Sequence, residues 1–276
     1  MRRIRGSNIT MTQAMSWPQY LRETTMPIVH PLTAISLHLE IFFNAQQLGS
    51  GTGFIVARDG EHFLITNWHV VSGRDPKTDN PLSGLAAIPN TIRIWHHRKD
   101  LLGKWIPKDV SLQDGNGKLT WKEIDTADGK ADVIALPIEV TNDIDVHPLD
   151  ITLANTDLII LPSDPVSIIG FPYNQSAFGK FPIWKTGHVA SDIDIDYAKR
   201  PIFLIDASTK KGMSGSPVIA YRSGLIHSSE GFQLGVPPRT KFMGIYSGRV
   251  QDEELSELSN LGQVWKPSVI VQLLGI

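Results

Sequence analysis

The sequence KKGMSGSPV, residues 210–218, decides how the rest of the chain is interpreted. It follows the apolar run IFLID, residues 202–206, which is typical of a buried strand. Glycine and serine bury little surface, and Pro217 cannot donate a hydrogen bond to a strand ladder. A stretch that packs so poorly directly after a good strand indicates a functional turn, with Ser214 near its centre.

Outward from this turn, most apolar segments are short, and Gly, Pro and polar residues separate them. Asp59-Gly60 lies between two of them and predicts a hairpin. Many short strands separated by such residues predict an all-β sandwich or barrel. The segments are AISLHLEIFF (34–43), GFIVA (53–57), HFLITNW (62–68), TIRIWH (91–96), DVIALPI (132–138), PVSIIGFP (165–172), HVASDIDIDY (188–197), SPVIAY (216–221) and FMGIYSG (242–248).

The remaining segments are assigned to loops and short helices. Residues 74–128 contain a long polar insertion, which we interpret as surface loops apart from TIRIWH. TQAMSWPQYLRE, residues 12–23, predicts a short helix in an N-terminal extension, and GQVWKPSVIVQLLGI, residues 262–276, predicts a C-terminal helix with an apolar stripe.

Composition excludes several classes of function. The chain has 276 residues, of which 41% are hydrophobic and 20% charged, enough for a substantial core. A net charge of −2 without a basic block argues against nucleic-acid binding, and no apolar run is long enough to cross a membrane. The absence of cysteine excludes disulfides and thiolate chemistry. The first residues are basic but lack an apolar core, so a cytoplasmic location is expected.

Three segments carry candidate catalytic residues. His69 lies in LITNWHVVSG, residues 64–73, where an apolar strand ends, and Asp132 leads the apolar run in KADVIALPI, residues 130–138. With Ser214 they can form a nucleophilic triad in which histidine takes the hydroxyl proton and aspartate orients the ring. Gly212 permits the backbone angles of a turn whose N–H groups face a developing oxyanion, and Gly215 is expected to leave room for substrate.

At these residues the chain resembles the trypsin-like (chymotrypsin-fold) serine peptidases. The likeness is to the cysteine-free bacterial type that includes the glutamyl endopeptidases and the Htr-type proteases. TNWHVV, DVIALPI and GMSGSPV resemble the segments around the catalytic His, Asp and Ser of that family. GSGTGFIV, IIGFP, TGHVAS and MGIYSG are similar to further strands of the fold. Each motif alone is weak, but they occur in the family's order from about residue 50 to about residue 250.

The resemblance implies two packed six-stranded antiparallel β-barrels with a cleft between them. Residues 1–32 would be an extension, residues 33–150 the barrel with His69 and Asp132, and residues 151–276 the barrel with Ser214 and the C-terminal helix. The N–H groups of Gly212 and Ser214 would form the oxyanion hole. The reaction would be peptide-bond hydrolysis through an acyl-enzyme, with no metal and no organic cofactor.

Other residues compete for the catalytic roles. Asp125 and Asp128 lie close to Asp132, but only Asp132 directly precedes the apolar run. Ser216 is a rival nucleophile in the same turn, although the resemblance places it at the position that is Gly or Ser in the family.

Two groups of residues suggest metal binding. His96 and His97 are adjacent and would point to opposite faces of a strand, so a solvated loop or strand end is the preferred interpretation. Asp192, Asp194 and Asp196 alternate with apolar residues, which favours the wet face of a strand over a calcium site.

Specificity is inferred from the resemblance alone. The base of the primary pocket would be Ser208, six residues before Ser214, and its wall GIYSGR, residues 244–249, with Tyr246, Ser247 and Arg249. Ser208 carries no charge, so a Lys or Arg side chain before the cut bond is not expected. Arg249 could favour an acidic side chain, while a pocket for small or apolar residues is equally compatible.

The sequence therefore predicts a serine endopeptidase acting on proteins or peptides. The alternative is a binding module with a protease fold, or a latent protease that needs a regulatory protein partner to order its cleft.

Overall fold

The structure is a computed structural model that describes residues 29–84, 87–126, 129–250 and 260–276. The helix expected at residues 12–23 lies outside the described residues. The predicted all-β fold with a short C-terminal helix is confirmed. No helix in the described ranges is long and apolar enough to cross a membrane.

The N-terminal half forms one antiparallel sheet of seven strands. These are β1 Ser36–Phe43, β2 Gln46–Arg58, β3 Glu61–Thr66, β4 Thr91–Arg98, β5 Leu101–Ser111, β8 Ile134–Ile138 and β9 Ile144–Asp145. The pairing order is β5-β4-β1-β2-β3-β8, and β9 pairs with β4, so the count exceeds the predicted six by one short strand. An isolated bridge between Lys122 and Ala135 joins the segment after β5 to β8, but among the described residues no pair of strands closes this sheet into the barrel that was predicted for this half.

The C-terminal half contains a closed barrel of six strands in the order β10-β11-β12-β17-β16-β13. Its strands are β10 Pro165–Gly170, β11 Ile183–Val189, β12 Ile202–Asp206, β13 Pro217–Arg222, β16 Arg239–Arg249 and β17 Leu261–Trp265. Two small hairpins lie outside both sheets, namely β6 Asp125–Thr126 with β7 Gly129–Lys130, and β14 Leu225–Ser228 with β15 Gly231–Leu234.

The helices are short. They are α1 Pro31–Ala34, α2 Trp68–Ser72 and α3 Pro267–Leu274. α3 starts with Pro at its first position and ends at Gly275 in the left-handed conformation, which are the usual start and stop signals of a helix.

The described residues form three apolar cores. One fills the N-terminal sheet, around Leu39 and Leu64, and another fills the closed barrel, around Phe203 and Val218. The third lies between the two halves and joins side chains such as Phe54 to the barrel and to α3. Because this shared core fixes the two sheets against each other, residues carried by different halves hold a constant relative position.

Three expectations about local structure are wrong. β5 runs through the insertion assigned to loops, because an edge strand that pairs only with β4 tolerates Gly103 and Pro107 within it. β11 ends at Val189, so Asp192, Asp194 and Asp196 lie in an exposed turn instead of on a strand. His96 and His97 are buried in β4 instead of solvated.

The Asp59-Gly60 hairpin is confirmed. Both residues have positive φ angles, 49° and 82°, and Arg58 pairs with Glu61 across the turn.

Candidate active site

His69 and Asp132 make two hydrogen bonds to each other. The His69 Nδ1 group lies 2.7 Å from Asp132 Oδ2, and the His69 backbone N–H donates to Asp132 Oδ1 over 2.9 Å. His69 is in the first turn of α2, a helix that ends at Gly73 in the left-handed conformation. With the carboxylate accepting from Nδ1–H, the neutral ring leaves its Nε2 lone pair available as a base.

The local fold buries Asp132 but supplies it with donors. The residue is only 2% exposed, and its Oδ2 also accepts a hydrogen bond from Ser247 Oγ over 2.6 Å. The Asn67 side chain donates to the Asp132 backbone carbonyl over 2.7 Å. Together with the two hydrogen bonds from His69, these contacts fix the carboxylate in one position beside the imidazole ring.

The structure separates Asp132 from its sequence neighbours. Asp125 lies in β6 and is exposed, and the described hydrogen bonds of the His69 ring do not include it. Asp128 lies outside the described residues.

His69 has a raised pKa. Burial by itself lowers the pKa of the imidazole, but the charge of Asp132 and the hydrogen bond to it outweigh burial, so the pKa lies above its ordinary value of 6.5. A base with a pKa above 6.5 is well matched to proton transfer near neutral pH.

Ser214 lies in a turn with two glycines, each of which packs closely against the backbone of a distant segment of the chain. Gly212 has φ 92°, and a Cβ there would lie 2.4 Å from the Phe171 carbonyl oxygen. Gly215 has φ 87°, and a Cβ there would lie 1.8 Å from the Thr52 carbonyl oxygen. The expectation that Gly215 leaves room for substrate is therefore wrong, because the space beside it is occupied by the backbone of β2.

Thr52 is a residue that the sequence analysis missed. Its backbone N–H donates to the Ser214 carbonyl over 2.9 Å, and its Oγ1 donates to the Gly212 carbonyl over 2.9 Å. It is fully buried. Its place in GSGTGFIV gave no signal of this contact, because the contact depends on how the two sheets pack.

The Ser214 hydroxyl donates to the Ser247 carbonyl over 3.3 Å. Within the described ranges, no hydrogen bond joins Ser214 Oγ to the His69 ring. Both side chains nevertheless line the same two cavities, of about 210 Å³ and about 230 Å³, one of which Asp132 also lines. Catalytic hydrogen bonds are often loose before substrate binds.

The two cavities differ in lining. The first has the charged side chains Asp75, Lys77, Arg200 and Arg249 around it. The second has a mainly apolar lining of Ile41, Leu48, Val70, Leu82, Ala87 and Pro89 beside Gly212.

The residues expected in the substrate pocket fall into two groups. Ser247 and Arg249 line the first cavity together with Ser214. Ser208 is exposed and Tyr246 is buried, and neither lines either of the two cavities. Ser247, expected in the pocket wall, also holds the Asp132 carboxylate.

The metal-binding alternatives receive no support. In the part of the chain that the structure describes, no group of three or more His, Asp or Glu side chains could hold an ion.

The structure brings a Ser, a His and an Asp from both halves to one cleft of an all-β fold, and the sequence family of the chain is one of peptidases, which are hydrolases. The chain belongs to the trypsin-like peptidase domain family, whose sequence profile matches residues 51–226. Its substrates are accordingly proteins or peptides. The resemblance to trypsin-like serine peptidases is thereby confirmed.

Solved structures with a similar chain path include other proteases. The Rv3671c protease of M. tuberculosis in an inactive form is 16% identical over 88% of this chain and 89% of that one, with a TM-score of 0.45. A serine endoprotease from Yersinia pestis is 17% identical over 91% of this chain and 67% of that one, with a TM-score of 0.46. No protein of curated function matches the sequence.

Proposed function

We propose that the protein is a serine endopeptidase in which Ser214 is the nucleophile. His69 Nε2 takes the Ser214 hydroxyl proton as Oγ attacks the peptide carbonyl carbon, and Asp132 stabilises the imidazolium that forms. The imidazolium then gives its proton to the leaving amine, and the C–N bond breaks to leave an acyl ester on Ser214. Water, deprotonated by His69, hydrolyses this ester and restores the serine.

The N–H groups of Gly212 and Ser214 are the donors proposed for the oxyanion. In the described part of the chain neither group has a carbonyl partner, so both remain available. The peptide unit of Gly212 N–H is fixed because its Lys211 carbonyl accepts from Tyr173 N–H over 2.6 Å, and that of Ser214 N–H because its Met213 carbonyl accepts from Ser216 N–H over 3.0 Å. The Gly212 carbonyl, in the peptide unit between these two, accepts from Thr52 Oγ1. Donors fixed in advance stabilise the developing charge without reorganising during the reaction.

The observation that carries the proposal is the paired contact of His69 with Asp132 in the cavity that Ser214 lines. The hydrogen bond to Nδ1 fixes the orientation and the tautomer of the ring, and the hydrogen bond from the backbone N–H fixes the carboxylate against the first turn of α2. A buried carboxylate that holds a partly exposed ring beside a serine hydroxyl is the arrangement that activates a weak nucleophile.

One observation favours a second candidate, a latent protease whose cleft a partner must order. The Ser214 hydroxyl donates to the Ser247 carbonyl instead of to His69. A partner or substrate that turned this hydroxyl toward the ring would then be needed for activity.

Hydrolysis of peptides blocked at both ends tests the proposal, because an endopeptidase needs neither terminus. The purified protein should cleave such peptides and an unfolded protein substrate, and the Ser214→Ala variant should cleave neither. Ser216→Ala provides a matched control in the same turn and should retain cleavage. Cleavage that requires a free terminus would contradict the endopeptidase assignment. Equal cleavage by the Ser214→Ala variant would contradict the nucleophile.

A further inference from the structure

Tyr246 lies directly beside the candidate nucleophile. Its carbonyl accepts a hydrogen bond from Gly215 N–H over 2.9 Å, and its N–H donates to the Ser216 carbonyl over 2.9 Å. The hydroxyl of Ser214 reaches the carbonyl of the next residue, Ser247. β16 therefore runs along the nucleophile turn, and the Tyr246 side chain leaves the strand at the level of Ser214.

The Tyr246 ring fills the gap between two neighbouring segments. On one side its hydroxyl forms a hydrogen bond with Thr209 Oγ1, in the segment that leads to the nucleophile turn. On the other side it covers Gly262 of β17, where an added Cβ would lie 2.7 Å from Tyr246 Cε2. Tyr246 and Thr209 are 2% and 1% exposed, respectively. The ring thus fills the space between these two segments. The resemblance to trypsin-like peptidases assigns this space, between Ser208 and residues 244–249, to the primary substrate pocket.

Arg249 holds the same segment as Tyr246 does, through a second hydrogen bond to Thr209. Its Nη2 group donates to the Thr209 carbonyl over 2.7 Å, so Thr209 is bound through both its side chain and its backbone. Neither Tyr246 nor Thr209 lines the two cavities that reach Ser214. The hydroxyl of Tyr246 and one arm of Arg249 are therefore already occupied by the protein itself.

We propose that Tyr246 is a specificity-determining residue that restricts the peptidase to small side chains, such as those of Gly, Ala and Ser, on the acyl side of the cut bond. The inference rests on the proposed function of Ser214. A Phe or Leu side chain at that position would have to displace a buried ring and break its hydrogen bond to Thr209. A Lys or Arg side chain would in addition approach Arg249 without a carboxylate to pair with.

Blocked peptides that differ only in the residue on the acyl side test the inference on the unmodified protein. We expect kcat/KM for Ala to exceed that for Phe by at least about a hundredfold, since pocket size alone can discriminate to this extent. Equal or faster cleavage after Phe, Leu, Glu or Lys overturns the inference while the proposed function stands. Cleavage of no peptide, together with no labelling of Ser214 by a small fluorophosphonate, overturns both.

Variants of Tyr246 locate the cause of the selectivity. Tyr246→Ala should raise the Phe-to-Ala ratio of kcat/KM by at least about tenfold, because the ring no longer fills the gap. Tyr246→Phe keeps the ring and should keep the preference for Ala. Tyr221→Ala, at a partly exposed tyrosine of β13, is the matched control and should leave the ratio unchanged.

The comparison of kcat/KM values for the unmodified protein does not depend on whether Tyr246→Ala folds. If the variant folds and its ratio stays that of the parent, Tyr246 is not the determinant and the inference is overturned. If Tyr246→Ala does not fold, the peptide series and Tyr246→Phe decide, and a loss of the Ala preference in Tyr246→Phe overturns the role of the ring.

Discussion

Thr52 and Gly212 connect the two halves of the molecule at the candidate site, where Thr52 Oγ1 donates to the Gly212 carbonyl over 2.9 Å. Thr52 lies in β2 of the N-terminal sheet, whereas Gly212 precedes the nucleophile that the closed barrel carries. The oxyanion donors proposed above therefore depend on a contact between sheets, and not only on the turn that contains them.

Replacing Thr52 tests this dependence. Thr52→Val keeps the shape of the side chain but removes the donor, so we expect kcat to fall by about tenfold to a hundredfold with little change in KM, somewhat less than the loss of one oxyanion donor. Thr52→Ser restores the hydroxyl and should recover most of kcat. Equal kcat for Thr52→Val and the parent would contradict the positioning role.

The triad predicts a graded loss of activity. Ser214→Ala and His69→Ala should each abolish hydrolysis, and Asp132→Asn should lower kcat by roughly 10⁴ because the ring loses its correct tautomer. Circular dichroism checks that each variant is folded. Asp125→Asn, at an exposed carboxylate of β6, is the control and should remain active. If Asp125→Asn were inactive and Asp132→Asn active, the choice of the acid would be wrong.

The pH dependence of kcat/KM should follow His69. The base must be neutral, so activity rises with pH through the pKa of His69, which lies above 6.5 in the folded protein. Removing the carboxylate charge in Asp132→Asn lowers that pKa, so the acidic limb of the residual activity should move to lower pH. A limb that stays in place or moves to higher pH would contradict the assignment of His69.

The raised pKa of His69 has a defined effect on stability. Protonated His69 paired with Asp132 favours the folded state, so this contribution is fully present below the unfolded pKa of 6.5 and is lost as pH rises through the folded pKa. The free energy of unfolding of the parent, minus that of His69→Gln, should therefore be larger at pH 6 than at pH 9. Denaturant titrations at the two pH values measure the difference, and the opposite order would contradict the pairing.

Alanine substitutions at two glycines distinguish the cost of a steric clash from the cost of backbone strain. Gly215 and Gly60 have similar φ angles, 87° and 82°, but an added Cβ at Gly215 would lie 1.8 Å from the Thr52 carbonyl, while at Gly60 it would meet nothing within 4 Å. Gly60→Ala should cost about 1–2 kcal/mol of unfolding free energy, from strain alone. Gly215→Ala should cost clearly more and abolish activity. Equal unfolding free energies for the two variants would contradict the tight contact between β2 and the nucleophile turn.

Buried histidines of β4 predict sensitivity to acid. Burial, with smaller contributions from neighbouring charges, lowers the pKa of His96 to about 4, and its Nδ1 has no hydrogen-bond partner among the described residues. Because the pKa of His96 is lower in the folded than in the unfolded protein, its contribution to the free energy of unfolding is fully present above pH 6.5 and is lost as the pH falls toward 4. His96→Leu removes this proton uptake, so the variant should lose less stability between pH 7 and pH 5 than the parent does. Identical losses in denaturant titrations would contradict the prediction.

The sequence allowed much of the fold to be predicted, because its signals are local. Asp59-Gly60 is a hairpin signal that needs no tertiary information, and the short apolar segments mark most strands of both sheets. β5 was missed because Gly103 and Pro107, two residue types that are depleted in strands, interrupt its apolar residues. His96 and His97 were expected to be solvated because two adjacent polar residues give no sign of burial.

The candidate site was predictable only where a residue type is itself the signal. His69, Asp132 and Ser214 stand in motifs, and the structure brings them to one cleft. The roles of Thr52 and Tyr246 come from packing between segments that are distant in the sequence. Nothing in MGIYSG shows that the tyrosine ring turns inward and bonds to Thr209.

The central claim, that Ser214 is an activated nucleophile, is tested most directly by covalent labelling with a fluorophosphonate followed by peptide mass mapping. We predict one phosphonyl group per molecule, located on Ser214, and no label in the His69→Ala variant, whose serine has no base. An unlabelled protein would contradict an activated Ser214, and so would a label on Ser216 or a label on Ser214 that forms at the parent's rate without His69.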